Sequence, residues 1–235
     1  MSPVLNVNSI DVSYGETRVI SDLSMEVHDS EILAVLGRNG MGKTTLLKCL
    51  AGALRADTGT IEFSGENITA LPAHERAFRG ISLIPQGREI FPDLTIGENL
   101  RMGSLAAVDR DPLDRKVIYE YFPVLEERVG QKGGTLSGGQ QQMLAIARGL
   151  ITNPKLMLLD EPSEGIQPSI VDQIATIISE IHELEGIPIV LVEQNAELVF
   201  SVADRGYILE NGRIVEDRRI DELQDDELIK DRLGI

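Results

Sequence analysis

The residues that decide the fold read GRNGMGKT and run from Gly37 to Thr44. They match the pattern G-x-x-x-x-G-K-[ST] and lie between the apolar run Ile32–Leu36 and a helix-like pattern over Lys43–Ala53. Glycines let the chain curl so that successive main-chain N–H groups point inward, and the following helix begins with a partial positive charge. A chance match in a chain of this length has odds on the order of one in a hundred. The stretch therefore predicts a phosphate-binding loop between a strand and a helix.

The polar side chains of this loop have distinct predicted tasks. Lys43 supplies a mobile positive charge for β- and γ-phosphates, and Thr44 can place its hydroxyl on Mg²⁺. The residues expected to surround the phosphates are Gly37, Asn39, Gly40, Gly42, Lys43, Thr44 and Thr45. The loop thus indicates a nucleotide polyphosphate as its ligand.

A second candidate element lies far downstream, where the apolar run Leu156–Leu159 ends in Asp160 and Glu161. Ligands of parallel sheets bind beyond the carboxyl ends of the strands. Asp160 is therefore expected near Mg²⁺, and Glu161 can accept a proton from an attacking water or orient it. Taken alone, the pair is equally well explained as an ordinary turn before Pro162. Beside the phosphate loop, the functional interpretation is favoured.

Apolar runs and helical patterns alternate along much of the chain. The runs Ile32–Leu36, Leu156–Leu159 and Ile187–Val192 suit parallel strands that helices cover on both faces. The helical patterns among them are Lys43–Ala53, Gly139–Thr152, Ile170–Leu184 and Ala196–Ala203. This alternation predicts an α/β layered sheet.

Two regions differ from that alternation. From about Gly87 to Lys132 the pattern is mainly helical, with segments at Ile96–Gly103 and Pro112–Val129, which predicts a helical insertion between two halves of one sheet. The acidic tail Glu216–Asp231 has apolar residues at spacings that predict short amphipathic helices.

Composition excludes several classes of protein. The chain has 235 residues and a formal net charge of −16, which argues against binding DNA or RNA through phosphate contacts. Its single cysteine, Cys49, excludes an intrachain disulfide and a cysteine-rich metal site, and its apolar neighbours predict a core position. No apolar run approaches the roughly 18–20 residues that cross a bilayer, and Met1–Ile10 lacks the pattern of a secretion signal. We therefore expect a cytoplasmic chain whose membrane role, if it has one, comes through a partner.

One further motif identifies a family. Leu136–Gln140 reads LSGGQ and continues in a helical pattern to Arg148, which resembles the signature sequence of ABC ATPases. The other motifs of that family occur in its order over nearly the whole chain. They are Tyr14, Gly37–Thr44, Gln86, Leu136–Gln140, Leu156–Asp160, Glu161 and Ser163–Pro168.

The resemblance implies a fold and a division of the chain. The fold is a P-loop cassette with a mixed or parallel central sheet, an N-terminal antiparallel β part and an inserted helical subdomain. By resemblance, residues 1–86 and 151–235 form the ATP-binding core, and residues 87–150 form the helical subdomain that carries the signature.

The resemblance also implies the cofactors, ATP and Mg²⁺, and the roles of the site residues. Tyr14 corresponds to the aromatic that stacks on adenine, and Gln86 to the glutamine that contacts Mg²⁺ and water. The expected metal contacts are Thr44, Gln86 and Asp160, and the expected catalytic residues are Lys43, Glu161 and Gln194. The signature residues Ser137, Gly138, Gly139 and Gln140 are expected to close over the γ-phosphate of ATP bound to a second cassette.

Two motifs depart from the common family pattern. After the strand Ile187–Val192 the chain reads Glu193-Gln194-Asn195, so Gln194 replaces the family's switch histidine. A glutamine can donate a hydrogen bond to the γ-phosphate, but it cannot carry charge or shuttle a proton, so we expect Glu161 to bear most of the water activation. Ser163–Pro168 reads SEGIQP in place of the common Ser-Ala-Leu-Asp.

Both departures resemble the second ATPase subunit of branched-chain amino-acid importers and of the related urea and short-chain amide importers. Pro85–Pro92 and Glu164–Pro168 are somewhat closer to the urea/amide branch. By resemblance, the partners are a homologous ATPase subunit, two transmembrane permease subunits and, indirectly, an extracytoplasmic solute-binding protein, at the cytoplasmic face of the membrane. The alternatives are a soluble ABC ATPase, such as an iron–sulfur assembly ATPase, and a cassette that binds ATP without hydrolysing it.

Overall fold

Ten strands form two sheets in this computed structural model, which describes residues 3–107 and 110–226. The strands are β1 Leu5–Tyr14, β2 Thr17–Val27, β3 Ile32–Leu36, β4 Thr58–Phe63, β5 Glu66–Asn67, β6 Ile81–Ile84, β7 Leu156–Asp160, β8 Ile189–Glu193, β9 Arg205–Glu210 and β10 Arg213–Arg219. An antiparallel sheet has the order β2-β1-β4-β5. A mixed six-stranded sheet has the order β10-β9-β3-β8-β7-β6, in which only the edge strand β10 runs antiparallel to its neighbour.

Helices cover the mixed sheet and fill the segment between β6 and β7. They are α1 Lys43–Leu50, α2 Ala73–Arg79, α3 Ile96–Leu105, α4 Arg115–Tyr121, α5 Pro123–Glu127, α6 Gly138–Leu150, α7 Pro168–Glu185, α8 Ala196–Val202 and α9 Ile220–Asp225, with a short 3₁₀ helix at Gly133–Thr135. The predicted α/β cassette with an antiparallel β part and a helical insertion is confirmed. The division at residues 86 and 150 stays a prediction.

The mixed sheet is buried on both faces, as its continuous apolar runs predict. Alternate residues of β3 enter two different hydrophobic clusters. Ile32, Ala34 and Leu36 pack with the side of α3–α8, whereas Leu33 and Val35 pack with α1 and the antiparallel sheet. Every residue of β3, β7 and β8 is buried. The carboxyl ends of these three strands are thereby held at one rigid edge.

Two predicted helical segments are corrected by the structure. Pro112–Val129 forms two short helices, because Phe122 precedes Pro123 and takes a non-helical conformation (φ −128°, ψ 65°). Within the tail, Glu216 to Arg219 belong to strand β10 and not to a helix. The cause is a tight hairpin at Asn211-Gly212, where both residues have positive φ (47° and 75°) and β10 can pair with β9. The part of the tail after residue 226 lies outside the described residues.

In the ranges 3–107 and 110–226, no helix is both long enough and apolar enough to cross a membrane. Cys49 is fully buried in α1, and burial raises the pKa of its thiol to about 11. Its predicted core position is confirmed.

Candidate active site

The candidate active site lies where four neighbouring parallel strands of the mixed sheet end. β3 leads into the loop Gly37–Gly42, and β6 is followed by Pro85 and Gln86. β7 ends at Asp160 and β8 at Glu193. Since β3, β8, β7 and β6 lie side by side, their carboxyl ends bring residues that are far apart in sequence to one edge.

The phosphate loop bounds a cavity of about 350 Å³. Its lining residues are Val19, Asn39, Gly40, Gly42, Lys43, Thr44, Thr45, Gln86 and Glu161. Gly42 turns the chain into α1 with a φ of 103°, and a Cβ there would lie 2.8 Å from Ile20 Cδ1. No side chain caps this end of α1, so its N–H groups are available to a ligand.

Lys43 is almost fully buried, with 4% of its surface exposed. Its Nζ donates to the carbonyl oxygens of Gly37 (2.7 Å) and Arg38 (3.3 Å) and lies 3.4 Å from Glu161 Oε1. The loop thus positions a desolvated ammonium beside the cavity, where an added anion would interact with it strongly.

Asp160 and Thr44 meet at the floor of the site. The Thr44 hydroxyl donates to Asp160 Oδ1 at 3.1 Å, and the Asp160 side chain is buried. Burial raises the pKa of Asp160 above its usual value, while the Thr44 hydrogen bond partly opposes that rise. This carboxylate is desolvated, so a cation beside it would stabilise its charged form.

Glu161 receives hydrogen bonds from two amides in addition to its ion pair with Lys43. Gln194 Nε2 donates to its Oε1 at 2.6 Å, and Gln86 Nε2 donates to its Oε2 at 3.2 Å. Glu161 has a positive φ of 46°, a backbone conformation that is costly for any residue other than glycine. The turn after β7 therefore places the Glu161 carboxylate at the cavity through a strained backbone conformation.

Gln194 links the phosphate loop to Glu161. Its Nε2 also donates to Asn39 Oδ1 at 2.7 Å, and its side chain is exposed at the mouth of the site. The structure therefore brings together Asn39, Lys43, Gln86, Glu161 and Gln194, which sequence analysis had placed in one site.

The signature residues and Tyr14 lie outside this cavity lining. Ser137 is exposed and begins α6, where its hydroxyl accepts from Gln140 N and Gln140 Oε1 accepts from Ser137 N. Tyr14 ends β1 with 49% of its surface exposed. The helical pattern predicted from Gly139 is confirmed, and the helix begins one residue earlier, at Gly138. The nucleotide contacts of both elements stay predictions.

Sequence analysis missed one residue of this edge, Glu193. It is buried, and its carboxylate accepts hydrogen bonds from main-chain N–H groups on both sides of the site. A signal for it existed, because it follows the apolar run Ile187–Val192 just as Asp160 follows Leu156–Leu159.

Comparisons with known proteins agree with this geometry. The family model described as ABC transporter matches residues 20–164, more than half of the chain. The high-affinity branched-chain amino acid transport ATP-binding protein BraG of Pseudomonas aeruginosa is 44% identical over 214 residues, covering 90% of this chain and 91% of that protein. The lipopolysaccharide export system ATP-binding protein LptB of Haemophilus influenzae is 36% identical over 233 residues, covering 97% and 95%. A probable branched-chain amino acid transport protein, LivF of Archaeoglobus fulgidus, is 33% identical over 225 residues, covering 95% of each.

Solved structures give the same answer. A nucleotide-free ATP-binding cassette from an ABC transporter has a TM-score of 0.82 and 27% identity and covers 99% of both chains. An ATP-binding cassette in its ADP conformation has a TM-score of 0.80, with 27% identity and 98% coverage of both.

The fold and the phosphate loop with its strand-end carboxylates define a P-loop ATPase cassette. The chain belongs to the ABC transporter family, and its activity is ATP hydrolysis coupled to transport. The predicted resemblance to the ATPase subunits of branched-chain importers is confirmed by its similarity to BraG and LivF.

Proposed function

We propose that ATP binds with its phosphates at the N-terminus of α1 and is hydrolysed with Glu161 as the general base. The observation that carries this proposal is the convergence of Lys43, Glu161 and the Thr44–Asp160 pair around one cavity. A phosphate there would meet both the buried ammonium and the uncapped N–H groups of α1. The adenine would lie against Tyr14 at the end of β1.

The residues present fit Mg²⁺. Thr44, Asp160 and the Gln86 amide offer the hard oxygen atoms that Mg²⁺ prefers, and phosphate oxygens would supply further ligands. Burial of Asp160 supports this assignment, because a desolvated carboxylate is stabilised by a neighbouring cation. When bound, Mg²⁺ neutralises charge on the phosphate oxygens.

Glu161 can become the base once a phosphate is present. A phosphate would compete with Glu161 for the Lys43 ammonium, which leaves the carboxylate free to accept a proton from the attacking water. Gln194 can donate a hydrogen bond but cannot take up that proton. We therefore assign water activation to Glu161 and orientation of Glu161 and the γ-phosphate to Gln194.

The site is completed, we propose, by a second cassette. The signature residues Ser137–Gln140 lie outside the cavity lining, yet they begin a 13-residue helix at an exposed surface. A homologous ATPase subunit that faces this chain would place its own α6 over the γ-phosphate. In the complex this gives a heterodimer, and the isolated chain can use a second copy of itself.

A groove between the mixed sheet and the helical insertion supports docking of the permease subunits. The groove has a volume of about 280 Å³ and includes the exposed side chains of Phe91 (41%) and Met102 (44%). Helices insert their apolar faces into grooves of this kind. We propose that one of the two transmembrane subunits docks a helix on this chain near Gln86 and Arg88–Leu94, at the cytoplasmic face of the membrane. The other would dock on the second cassette in the same way. An extracytoplasmic binding protein would act through those subunits.

The names of BraG and LivF support a branched-chain amino acid as the solute of the complex. The preference of Pro85–Pro92 for the urea/amide branch stays a prediction. LptB is 36% identical, which makes lipopolysaccharide export a second candidate system. Co-purification from detergent-solubilised membranes identifies the permease, and uptake of labelled leucine, urea and acetamide by the reconstituted complex distinguishes the solutes. Purification without any permease would instead support a soluble ABC ATPase.

The assignment of Glu161 is tested by Glu161→Gln in the assembled complex. We expect kcat for ATP hydrolysis to fall by about a thousandfold, because a general base contributes on the order of 10²–10⁴. ATP binding should persist, since Lys43 and the loop are unchanged. The matched control is Glu31→Gln, a buried carboxylate at the amino end of β3 that pairs with Arg205 (2.9 Å). Hydrolysis that survives Glu161→Gln would refute the assignment, and a wild-type complex that binds ATP without turnover would indicate a binding-only cassette.

A further inference from the structure

Glu193 is a buried carboxylate at the last position of β8, with 2% of its surface exposed. Its Oε1 accepts a hydrogen bond from Ser163 N at 2.8 Å. Its Oε2 accepts from Gln194 N at 2.9 Å and from Asn195 N at 3.0 Å. One side chain thus holds three main-chain N–H groups from two segments that meet at the active site.

The chemistry of these contacts requires a carboxylate. Each of the three main-chain partners is a donor, and an ionised carboxylate offers two oxygens that only accept. In glutamine, one of the two terminal atoms becomes an NH₂ group, which would face one or two of these donors. Replacing the glutamate by glutamine would therefore remove its hydrogen bonds to at least one of the two segments.

The two segments have different roles in the proposed reaction. Ser163 lies in the stretch from β7 to α7, two residues after Glu161. Gln194 places its amide on Glu161 (2.6 Å) and Asn39 (2.7 Å), and Asn195 caps α8 by accepting from Leu198 N. A shift of either segment would act on the other through the shared carboxylate.

We propose that Glu193 is a positioning residue, which holds the main chain of Gln194 so that its amide meets Glu161 and which ties the segment from Ser163 to the same point. This inference rests on the proposed function, in which Glu161 is the base. It adds that the loop after β7 and the turn after β8 move as one unit.

The test is steady-state ATP hydrolysis by the assembled complex carrying Glu193→Gln, with Glu31→Gln as the control. Glu31 is also buried and also accepts a main-chain N–H, from His28, but it lies at the opposite end of β3. We expect Glu193→Gln to lower kcat by about tenfold or more, because small displacements of reacting groups have effects of this size. KM for ATP should stay within twofold, since Lys43 and the N-terminus of α1 make no contact with Glu193. Glu31→Gln should change neither quantity.

Two further measurements separate positioning from general loss of structure. In a Gln194→Ala background, Glu193→Gln should lower kcat by a smaller factor than in the wild-type background, because part of its effect acts through Gln194. In hydrogen exchange of the full chain, Glu193→Gln should deprotect the peptides containing Ser163 and Gln194 together. A fall of equal size in both backgrounds, or deprotection of only one segment, would overturn the proposal.

If Glu193→Gln does not fold, Glu193→Asp keeps the charge but shortens the reach and is measured in the same way. Simultaneous deprotection of both segments with reduced kcat supports the inference, and wild-type kcat overturns it. Retained turnover in Glu193→Gln together with loss of turnover in Glu161→Gln would reject this inference alone. Retained turnover in Glu161→Gln would reject the proposed function itself.

Discussion

Two helices of this chain start within glycine-containing motifs and are proposed to bind phosphate, yet their N-termini are built differently. α1 begins at Lys43 after Gly42, which offers no side-chain cap, and both residues line the cavity. α6 is capped by Ser137. The Ser137 hydroxyl accepts from the main-chain N–H of Gln140, and the Gln140 side chain accepts from the main-chain N–H of Ser137. The first N-terminus has donors without an internal partner, whereas the second is already stabilised by its own capping box.

This difference indicates that the two helix N-termini have different roles in binding phosphate. The α1 end has the features of a binding site in a single chain: free N–H groups, a buried cation and a cavity. The α6 end is exposed and is capped by side chains of its own segment, which suits a surface that meets phosphate only when another subunit presents it. We expect the α1 end to be far more sensitive to substitution than the α6 end.

The largest effect is expected for Lys43→Ala. The substitution removes the buried ammonium and its hydrogen bonds to Gly37 and Arg38. We expect hydrolysis to fall by about a thousandfold, the upper range for loss of one electrostatic contact to a transition state. ATP affinity of the isolated chain should also fall, which a fluorescent nucleotide titration measures.

The matched control for Lys43→Ala is Lys48→Ala, an exposed lysine on the same helix. Its removal changes the net charge equally but leaves the loop intact, so affinity and turnover should stay within twofold. Equal effects of the two substitutions would show that α1 attracts ATP only by its general charge.

The C-terminal ends of the same two helices are also stabilised by different contacts. Arg76 is 1% exposed and donates to Cys49 O (2.8 Å) and Leu50 O (2.9 Å) at the end of α1, and to two further carbonyls, those of Thr69 and Leu71. We expect Arg76→Met to lower the free energy of unfolding by about 3 kcal/mol, because buried carbonyls lose their partners. Urea denaturation measures this.

The comparison variant is Arg148→Met at the last turn of α6. Arg148 donates to Glu89 O (2.7 Å) and lies over the Phe91 ring (4.9 Å). Fewer buried carbonyls depend on it, so we expect a loss of about 1 kcal/mol. A larger loss for Arg148→Met than for Arg76→Met would contradict this ranking of the two arginines.

The backbone positions of both helix N-termini could be predicted from sequence. Gly37–Thr44 and Leu136–Gln140 are local motifs, and apolar periodicity located α7 within two residues of its observed ends, Pro168–Glu185. Local pattern is sufficient here because each element buries one face, and burying one face requires apolar residues at regular spacing.

The contacts between distant segments could not be predicted in the same way. The Lys43–Glu161 ion pair and the three bonds of Glu193 depend on how β7 and β8 lie side by side, which no local pattern encodes. Strand β10 was missed because the charged alternation of its residues resembles an exposed helix, although Asn211-Gly212 is a hairpin signal. The proposed contact of α6 with ATP on a second subunit could not be predicted from local pattern either, because it involves another chain.

A much smaller loss of turnover than that of Lys43→Ala is expected for Ser137→Ala at the start of α6. The capping box is lost, which costs about 1 kcal/mol of stability. If α6 acts on ATP held by the facing subunit, ATP affinity of the isolated chain should stay within twofold while turnover of the assembled complex falls by about tenfold.

Thr95→Ala is the matched control, because Thr95 caps α3 through an equivalent capping box with Glu98. It should cost similar stability in urea denaturation without changing turnover. If both variants lower turnover equally, loss of helix stability accounts for the effect, and the α6 end has no phosphate to bind. If Ser137→Ala alone lowers turnover while affinity is retained, α1 of one subunit and α6 of the facing subunit act on one ATP from opposite sides. The difference between their caps then reflects which subunit holds the nucleotide first.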